Sequence, residues 1–227
     1  MLYKLVFILH PKTNSNMMTK PLLTRQLEFN SEERAKRIFD FLFALLVVVF
    51  LLSWIIPIVA IIIKIDSPGP VFFKQQRSGR YNIPFYCLKF RSMKVNAASD
   101  ILQASKEDDR ITRVGAFIRK TSIDELPQFL NVLMGEMSVV GPRPHMLKHT
   151  EEYAQSIENF MDRHDVAPGI TGWAQVSGHR GETKEIQAMI NRVNADIWYL
   201  HNRTFFLDIK IIFLTVWKFT KLNHNAF

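Results

Sequence analysis

The chain holds a single cysteine, Cys87, which excludes a disulfide framework and a thiolate metal cluster. It has no GxGxxG fingerprint, Walker phosphate loop or GxSxG elbow, so dinucleotide binding, P-loop phosphoryl transfer and α/β-hydrolase chemistry lack their usual signatures. Among its seven histidines, His145 and His149 stand one helical turn apart. No HExxH pattern surrounds them, and histidine ligation of a metal is not expected. Met1 to Leu9 is apolar but lacks the charged lead and small-residue cleavage site of a secretory signal. Met17 and Met18 leave a later start open. Internal repeats, low-complexity tracts and a linker-separated second domain are also missing.

What is present is a chain of 227 residues with 48% hydrophobic content, enough for one compact domain. Its formal charge of +8 and pI near 9.6 suit nucleic acid, an anionic membrane surface or phosphorylated small molecules as partners.

From Phe41 to Ile63 only Ser53 and Pro57 interrupt an apolar run, which as one helix reaches about 35 Å. Arg34, Lys36 and Arg37 precede the run, and Lys64, Lys74, Arg77 and Arg80 follow it, so the positive-inside tendency pulls both ends to one side. Pro57 cannot donate to the carbonyl of Ser53, and the Ser53 hydroxyl is placed to satisfy freed backbone groups. A re-entrant helix-break-helix at Ser53 and Pro57 and a straight transmembrane anchor both fit. Near the C-terminus, "TFFLDIKIIFLTVWKFTKL" puts Thr204, Asp208, Thr215 and Lys218 on one narrow stripe, which reads as an interfacial helix or, alternatively, a core helix.

Between these ends, strand-like runs ("PVFFKQ", "PFYCLKF") alternate with helical patterns ("LPQFLNVLMG", "HTEEYAQSIENFMDRH") and turn signals ("GRYN", "GPRP", "APGITGW"). The expectation is a small α/β domain. Its cations stand beside Gly and Pro turns: Lys74, Arg77 and Arg80; Lys89 and Arg91; Arg119 and Lys120; and Arg143. Guanidinium forks and ammonium groups there suit phosphate oxygens as well as a solvated surface.

"RKTSIDELPQFLN" sets Asp124 beside Glu125 at the start of an apolar run. Ser122 and Glu125 match a capping box, but Pro127 would then fall at the fifth helical position, where it breaks a bond. Starting the helix at Asp124 to Leu126 removes the conflict and places Asp124 where a helix end favours anions. A carboxylate there is either a cap or a nucleophile towards phosphorus, the latter only if cations offset the repulsion.

Read together, "KRIFDF", "KIDSPGPVFFKQQRSGR", "FYCLKFRSM", "DDRITRVGAFIRKTSIDELPQFLNVLMGEMSVVGPRP", "PGITGWAQVSG" and "LDIKIIFLTV" resemble the bacterial sugar transferases, the monotopic phosphoglycosyl transferases. The resemblance runs from about Arg34 to Lys218. It implies an α/β, membrane-associated catalytic domain with a re-entrant helix-break-helix and interfacial amphipathic helices. The implied division is a flexible extension over 1–33, the hairpin over 34–65, a cytosolic catalytic domain over 66–203, and an interfacial helix and tail over 204–227. The implied reaction moves a hexose 1-phosphate from a UDP-sugar to undecaprenyl phosphate, releasing UMP, at the cytoplasmic face of the bacterial inner membrane. By the same resemblance Asp124 is the nucleophile and Glu125 the ligand of a catalytic Mg2+. Arg119 and Arg143 bind phosphate, and Lys89, Arg91 and Arg77 lie near the substrate. The segment "RHDVAPGITGWAQVSGHRGETK" resembles members that load glucose 1-phosphate or galactose 1-phosphate, so UDP-glucose is the expected donor, with UDP-galactose or a UDP-N-acetylhexosamine as alternatives. Membrane lipid is an expected partner, nucleic acid is not, and homo-oligomerisation stays open. The Ser-Pro that members carry at the membrane break is Ser53-Trp54 here. A non-catalytic basic membrane scaffold is the competing reading, and it leaves the carboxylate pair unexplained.

Overall fold

The computed structural model describes residues 22–95, 108–181 and 185–220, with side chains placed from 31 to 218 within those ranges. The chain divides into two units, Met1–Ile38 and Phe39–Phe227. Most of the expected flexible extension, 1–21, and the tail, 221–227, lie outside the described residues.

No glycine or proline occurs between Leu22 and Ile56, and helix starts early as a result: α1 spans Leu22–Val47, inside the expected extension. A π-helical turn over Val48–Leu52 then leads into α2, Ser53–Asp66, which contains Pro57. Leu52 and Ser53 keep right-handed helical torsions, so the expected break is a π turn one turn before the proline and not unwound chain. Pro57 leaves the Ser53 carbonyl without its helical donor, and the wider turn lies just before that residue. Ser53 Oγ donates to Val49 O at 2.6 Å and Trp54 Nε1 to Phe50 O at 2.9 Å, so these side chains serve carbonyls of the π turn and not the Ser53 carbonyl that Pro57 leaves without a donor.

Among the described residues one helix is long and apolar enough to cross a membrane, Ser31–Asp66, and only 17% of its most apolar window is buried. A core helix of a soluble domain would be mostly covered. Its one acidic residue within the second unit before Asp66 is Asp40, which is 3% exposed. Its Oδ1 accepts from Val139 N at 3.0 Å, and Ala44 packs in the same core as Val139 and Ile211. A charge at the head of an apolar helix is thereby spent on joining that helix to the domain.

Among the described residues the domain is a mixture of helices and two small sheets. Strands β1 (Phe72–Ser78) and β2 (Pro84–Phe90) form an antiparallel hairpin with Phe72 opposite Phe90 and Ser78 opposite Pro84. Its turn uses positive φ at Tyr81 and Asn82. Helix α3 (Arg113–Lys120) starts on a Thr112 cap whose Oγ1 accepts from Gly115 N at 2.9 Å. It packs through Ile118 onto Val59 and Ile63 of α2. Helix α4 (Gln128–Met134) follows the carboxylate turn and ends on Gly135 at φ 87°, a left-handed cap that glycine adopts without cost.

Strands β3 (Ser138–Val140) and β4 (Gly169–Thr171) pair in parallel, Ser138 with Gly169 and Val140 with Thr171. A Cβ on Gly169 would lie 2.1 Å from Gly141 N, and one on Gly172 would lie 2.2 Å from Gly141 O. The glycines of "GPRP" and "PGITGW" are therefore one contact seen from two sides. The expected single helix in "HTEEYAQSIENFMDRH" splits into α5 (Leu147–Ser156) and a 3-10 turn over Phe160–Asp165 preceded by Asn159 at φ 60°. Helices α6 (Trp173–Val176) and α7 (Ile186–Asn202) meet through stacked Trp173 and Trp198 rings, 4.7 Å apart.

Helix α8 (Phe205–Thr220) is turned opposite to a surface helix of a soluble protein. Its polar stripe faces the domain: Asp208 accepts from Tyr199 at 2.6 Å, Thr215 bonds Thr171 at 2.7 Å, and Lys218 donates to Val176 O at 2.6 Å. Phe206, Phe213, Val216 and Trp217 are left exposed, an apolar face of the kind that lies on a bilayer.

Candidate active site

The carboxylate pair sits on a 3-10 turn, Ile123–Glu125, entered through Ser122 in the left-handed region at φ 54°. Ser122 makes no side-chain cap; its Oγ accepts from Arg180 Nη2 at 2.7 Å. The capping box is thus not formed. Helix α4 begins only at Gln128, after Pro127, later than the predicted start at Asp124 to Leu126. Pro127 ends one turn and opens the next without needing a donor, and Asp124 belongs to the tight turn before the helix.

Glu125 is gripped from two directions. Arg143 approaches from the loop after β3, with Nη2 2.7 Å from Oε1 and Nη1 3.2 Å from Oε2. Lys89, from β2, reaches Oε1 at 2.7 Å. These side chains are only 12% (Glu125), 16% (Lys89) and 26% (Arg143) exposed. Burial alone raises the Glu125 pKa, but the charges and hydrogen bonds of Arg143 and Lys89 outweigh it and hold the carboxyl well below the usual range. The same pairing raises Arg143.

Asp124 differs from its neighbour. It is 8% exposed, and its pKa is pushed up to about 6, first by burial and then by the Glu125 charge, against the pull of Lys89, Arg119 and Arg143. Two adjacent carboxyls are thus driven apart, one held ionised as an anchor and one poised near neutrality.

Lys89, Arg119, Arg143, Asp124 and Glu125 are therefore brought together. Arg77 stands close by, but its guanidinium donates to Pro144 O at 2.6 Å and to Gln75 Oε1 at 2.8 Å. Arg91 points elsewhere: it is 5% exposed and donates to Pro68 O and Ser67 O, tying β2 to the chain that leaves α2. Ser53 and Pro57 belong to the long apolar helix Ser31–Asp66, a candidate membrane span, and not to this cluster.

Arg180 is a residue that sequence reasoning missed. Its charge bears on Glu125, Arg143 and Asp124, and the loop carrying it is pinned by Arg192 of α7, which donates to His179 O at 2.9 Å and Gly181 O at 2.5 Å. "SGHRGE" offered an arginine between glycines, the same signal that singled out the other cations.

Among the described residues no three His, Cys, Asp or Glu side chains converge to hold a metal. Magnesium needs no such cage, because one carboxylate with substrate phosphates and water suffices for it. Glu125 supplies one carboxylate, and with Oε1 taken by Lys89 and Arg143, its Oε2, which accepts from Arg143 Nη1 at 3.2 Å, is the less engaged oxygen.

Comparison with known proteins agrees with the motifs. A family described as bacterial sugar transferase matches residues 31–222. The chain is similar to the UDP-glucose:undecaprenyl-phosphate glucose-1-phosphate transferase of Escherichia coli K12, at 50% identity over 81% of this chain and 39% of that protein. It is similar to the protein of the same name from Xanthomonas campestris pv. campestris, at 52% over 69% of this chain and 33% of that one. A UDP-N-acetylgalactosamine-undecaprenyl-phosphate N-acetylgalactosaminephosphotransferase of Aeromonas hydrophila is 44% identical over 69% of this chain and 37% of its own length. The chain spans from a third to two fifths of these relatives. With the match running from the long apolar helix through the carboxylate turn to α8, the chain belongs to the bacterial sugar transferase family.

Proposed function

We propose that the protein transfers a hexose 1-phosphate from a UDP-sugar to undecaprenyl phosphate, releasing UMP, as the opening step of a cell-surface polysaccharide. The observation that carries this is the split carboxylate pair: a buried aspartate beside a glutamate locked by a lysine and an arginine. A cation cluster with an adjacent oxygen nucleophile is what phosphorus chemistry between anions requires.

In this reading Asp124 attacks the phosphorus nearer the sugar, forming an Oδ–P bond as the P–O bond to UMP breaks. An oxygen of the acceptor phosphate then attacks the same phosphorus, and the Asp124 carboxylate leaves. Arg119 and Arg143 bind the phosphate oxygens, and Lys89 holds Glu125 in place. Glu125 would hold Mg2+, which neutralises diphosphate charge when bound.

The nucleophile must be ionised, so the pKa of about 6 at Asp124 sets an acid limb. kcat/KM for the UDP-sugar is expected to fall about tenfold per pH unit as pH drops below about 6, and to level off above it. A profile flat down to pH 4.5 would remove Asp124 from the reacting position.

UDP-glucose is the proposed donor, because two of the relatives named above are UDP-glucose enzymes. The N-acetylgalactosamine relative keeps the acetylated sugars in competition. Incubating the purified protein in lipid with undecaprenyl phosphate and single UDP-sugars, and measuring UMP, decides this. Release is expected to be at least tenfold faster from UDP-glucose than from UDP-galactose or the acetylated sugars. No release from any of them would sink the transferase reading.

The reading places the site at the cytoplasmic face of the inner membrane, with 34–65 as a re-entrant helix-break-helix. It is supported by cations at both ends of the apolar run and by the π turn and Pro57, where helices bend. Accessibility tags at the N-terminus and in the domain are expected on the same side. Opposite sides would make the helix a transmembrane anchor.

A further inference from the structure

The loop that delivers Arg143 is held by its carbonyls, four in succession. Pro142 O accepts from Gly169 N and His145 O from Ser78 N, each at 2.9 Å. Between them two side chains take over the backbone's role. Arg163 Nη2 donates to Arg143 O at 2.8 Å, and Arg77 Nη1 donates to Pro144 O at 2.6 Å. Prolines on both sides of Arg143 remove further torsional freedom.

Arg163 is costly to place there. It is 2% exposed, and its partner Asp196, on α7, lies 2.6 Å away with a side chain 2% exposed. Burial lowers the Arg163 pKa and raises that of Asp196, so the interior resists both charges. A buried pair of this kind contributes little net stability, and apolar residues of similar volume often do as well. The other contacts of Arg163 are to His145 Nδ1 at 2.7 Å and over the Phe160 ring at 5.4 Å. Its hydrogen bonds therefore run to the "GPRPH" loop, and its ion pair to Asp196.

We infer that the Asp196–Arg163 pair is a positioning device for the reaction, aiming Arg143 at Glu125 and at the phosphate bound beside Asp124. Neither residue touches the reacting atoms. Asp196 fixes Arg163 from the rigid body of α7, Arg163 fixes the Arg143 backbone, and Arg143 holds Glu125. Arg77 plays the matching part on the next carbonyl. Such a chain has no local sequence signature, because its links join residues 143, 163 and 196.

The inference rests on the reading of Arg143 as a phosphate clamp, and one cycle of measurements separates the two. In Asp124→Asn protein, which cannot react, UDP-glucose affinity is measured by calorimetry for Arg143→Ala, for Arg163→Met with Asp196→Leu, and for all three changes together. Arg143→Ala and the pair replacement are each expected to weaken binding about tenfold. Adding the pair replacement to Arg143→Ala is expected to cost less than twofold more, because both act through one side chain. The pair-replaced protein is expected to melt within a few degrees of its parent.

If Arg143→Ala leaves affinity unchanged, the clamp reading falls and the inference with it. If Arg143→Ala weakens binding but the pair replacement does not, or weakens it equally in both backgrounds, the clamp stands and the inference is overturned. Should the pair replacement fail to fold, Asp196→Asn keeps the shape and one acceptor. It is expected to give the same non-additive pattern at about threefold, and additivity there overturns the proposal equally.

Discussion

Asp124→Asn protein, given radiolabelled UDP-glucose and magnesium without lipid acceptor, is expected to retain no label after denaturing electrophoresis, whereas the wild type retains about one label per chain. Turnover with acceptor is expected to fall at least 1,000-fold, the scale seen when a covalent nucleophile is removed. The exchange is nearly isosteric and removes a charge from a site that penalises it, since burial already pushes Asp124 up to about 6. The variant should therefore fold and melt no lower than wild type, so lost labelling cannot be blamed on lost protein. Donor binding should persist, because the cations that hold phosphate are untouched. Equal labelling of variant and wild type would take the nucleophile's role away from Asp124, whereas no label on the wild type would remove the covalent step and leave transfer by direct attack of the acceptor.

The proposed role of Asp124 was legible in the sequence only through the wider motif, and the reason is local. "SIDELP" satisfies the pattern of a capping box, and nothing within those residues says that Ser122 turns left-handed and offers its hydroxyl to Arg180. Pro127 correctly excluded a helix that begins at Ser122, yet the helix starts still later, because a 3-10 turn fits between. Elements set by short-range rules were readable: the "PFYCLKF" strand matches β2 residue for residue, and the apolar run became a helix in full.

Residues whose meaning depends on a distant partner were harder. Lys89 and Arg91 stand two apart with the same charge and neighbours in sequence, yet one reaches Glu125 and the other serves carbonyls at 67 and 68. Strand alternation carried one residue past β2 puts both on one face, so periodicity cannot separate them. The α8 stripe was legible as amphipathic, but which side meets protein was not. The helix buries its polar residues because Tyr199, Thr171 and the Val176 carbonyl offer them partners.

Glu125 is the residue on which the site's stability and activity meet, and removing it is expected to damage both. In Glu125→Ala, Lys89 and Arg143 lose their shared counter-charge while remaining mostly enclosed, with side chains 16% and 26% exposed. Leaving enclosed charges uncompensated costs about 2–3 kcal/mol here, below the full range for deeply buried pairs because both cations keep some water. For a chain of this size that is roughly 5–10 °C in melting temperature, measurable by scanning fluorimetry in detergent. Arg143→Met should cost less than half as much, since Glu125 keeps Lys89 at 2.7 Å. Activity is expected to follow a different order: both variants lose 100-fold or more in turnover, because one lacks the carboxylate that fixes the cluster and the other lacks a clamp on phosphate. Melting temperatures that fall equally for the two variants would mean that Lys89 does not hold Glu125 as its 2.7 Å contact implies.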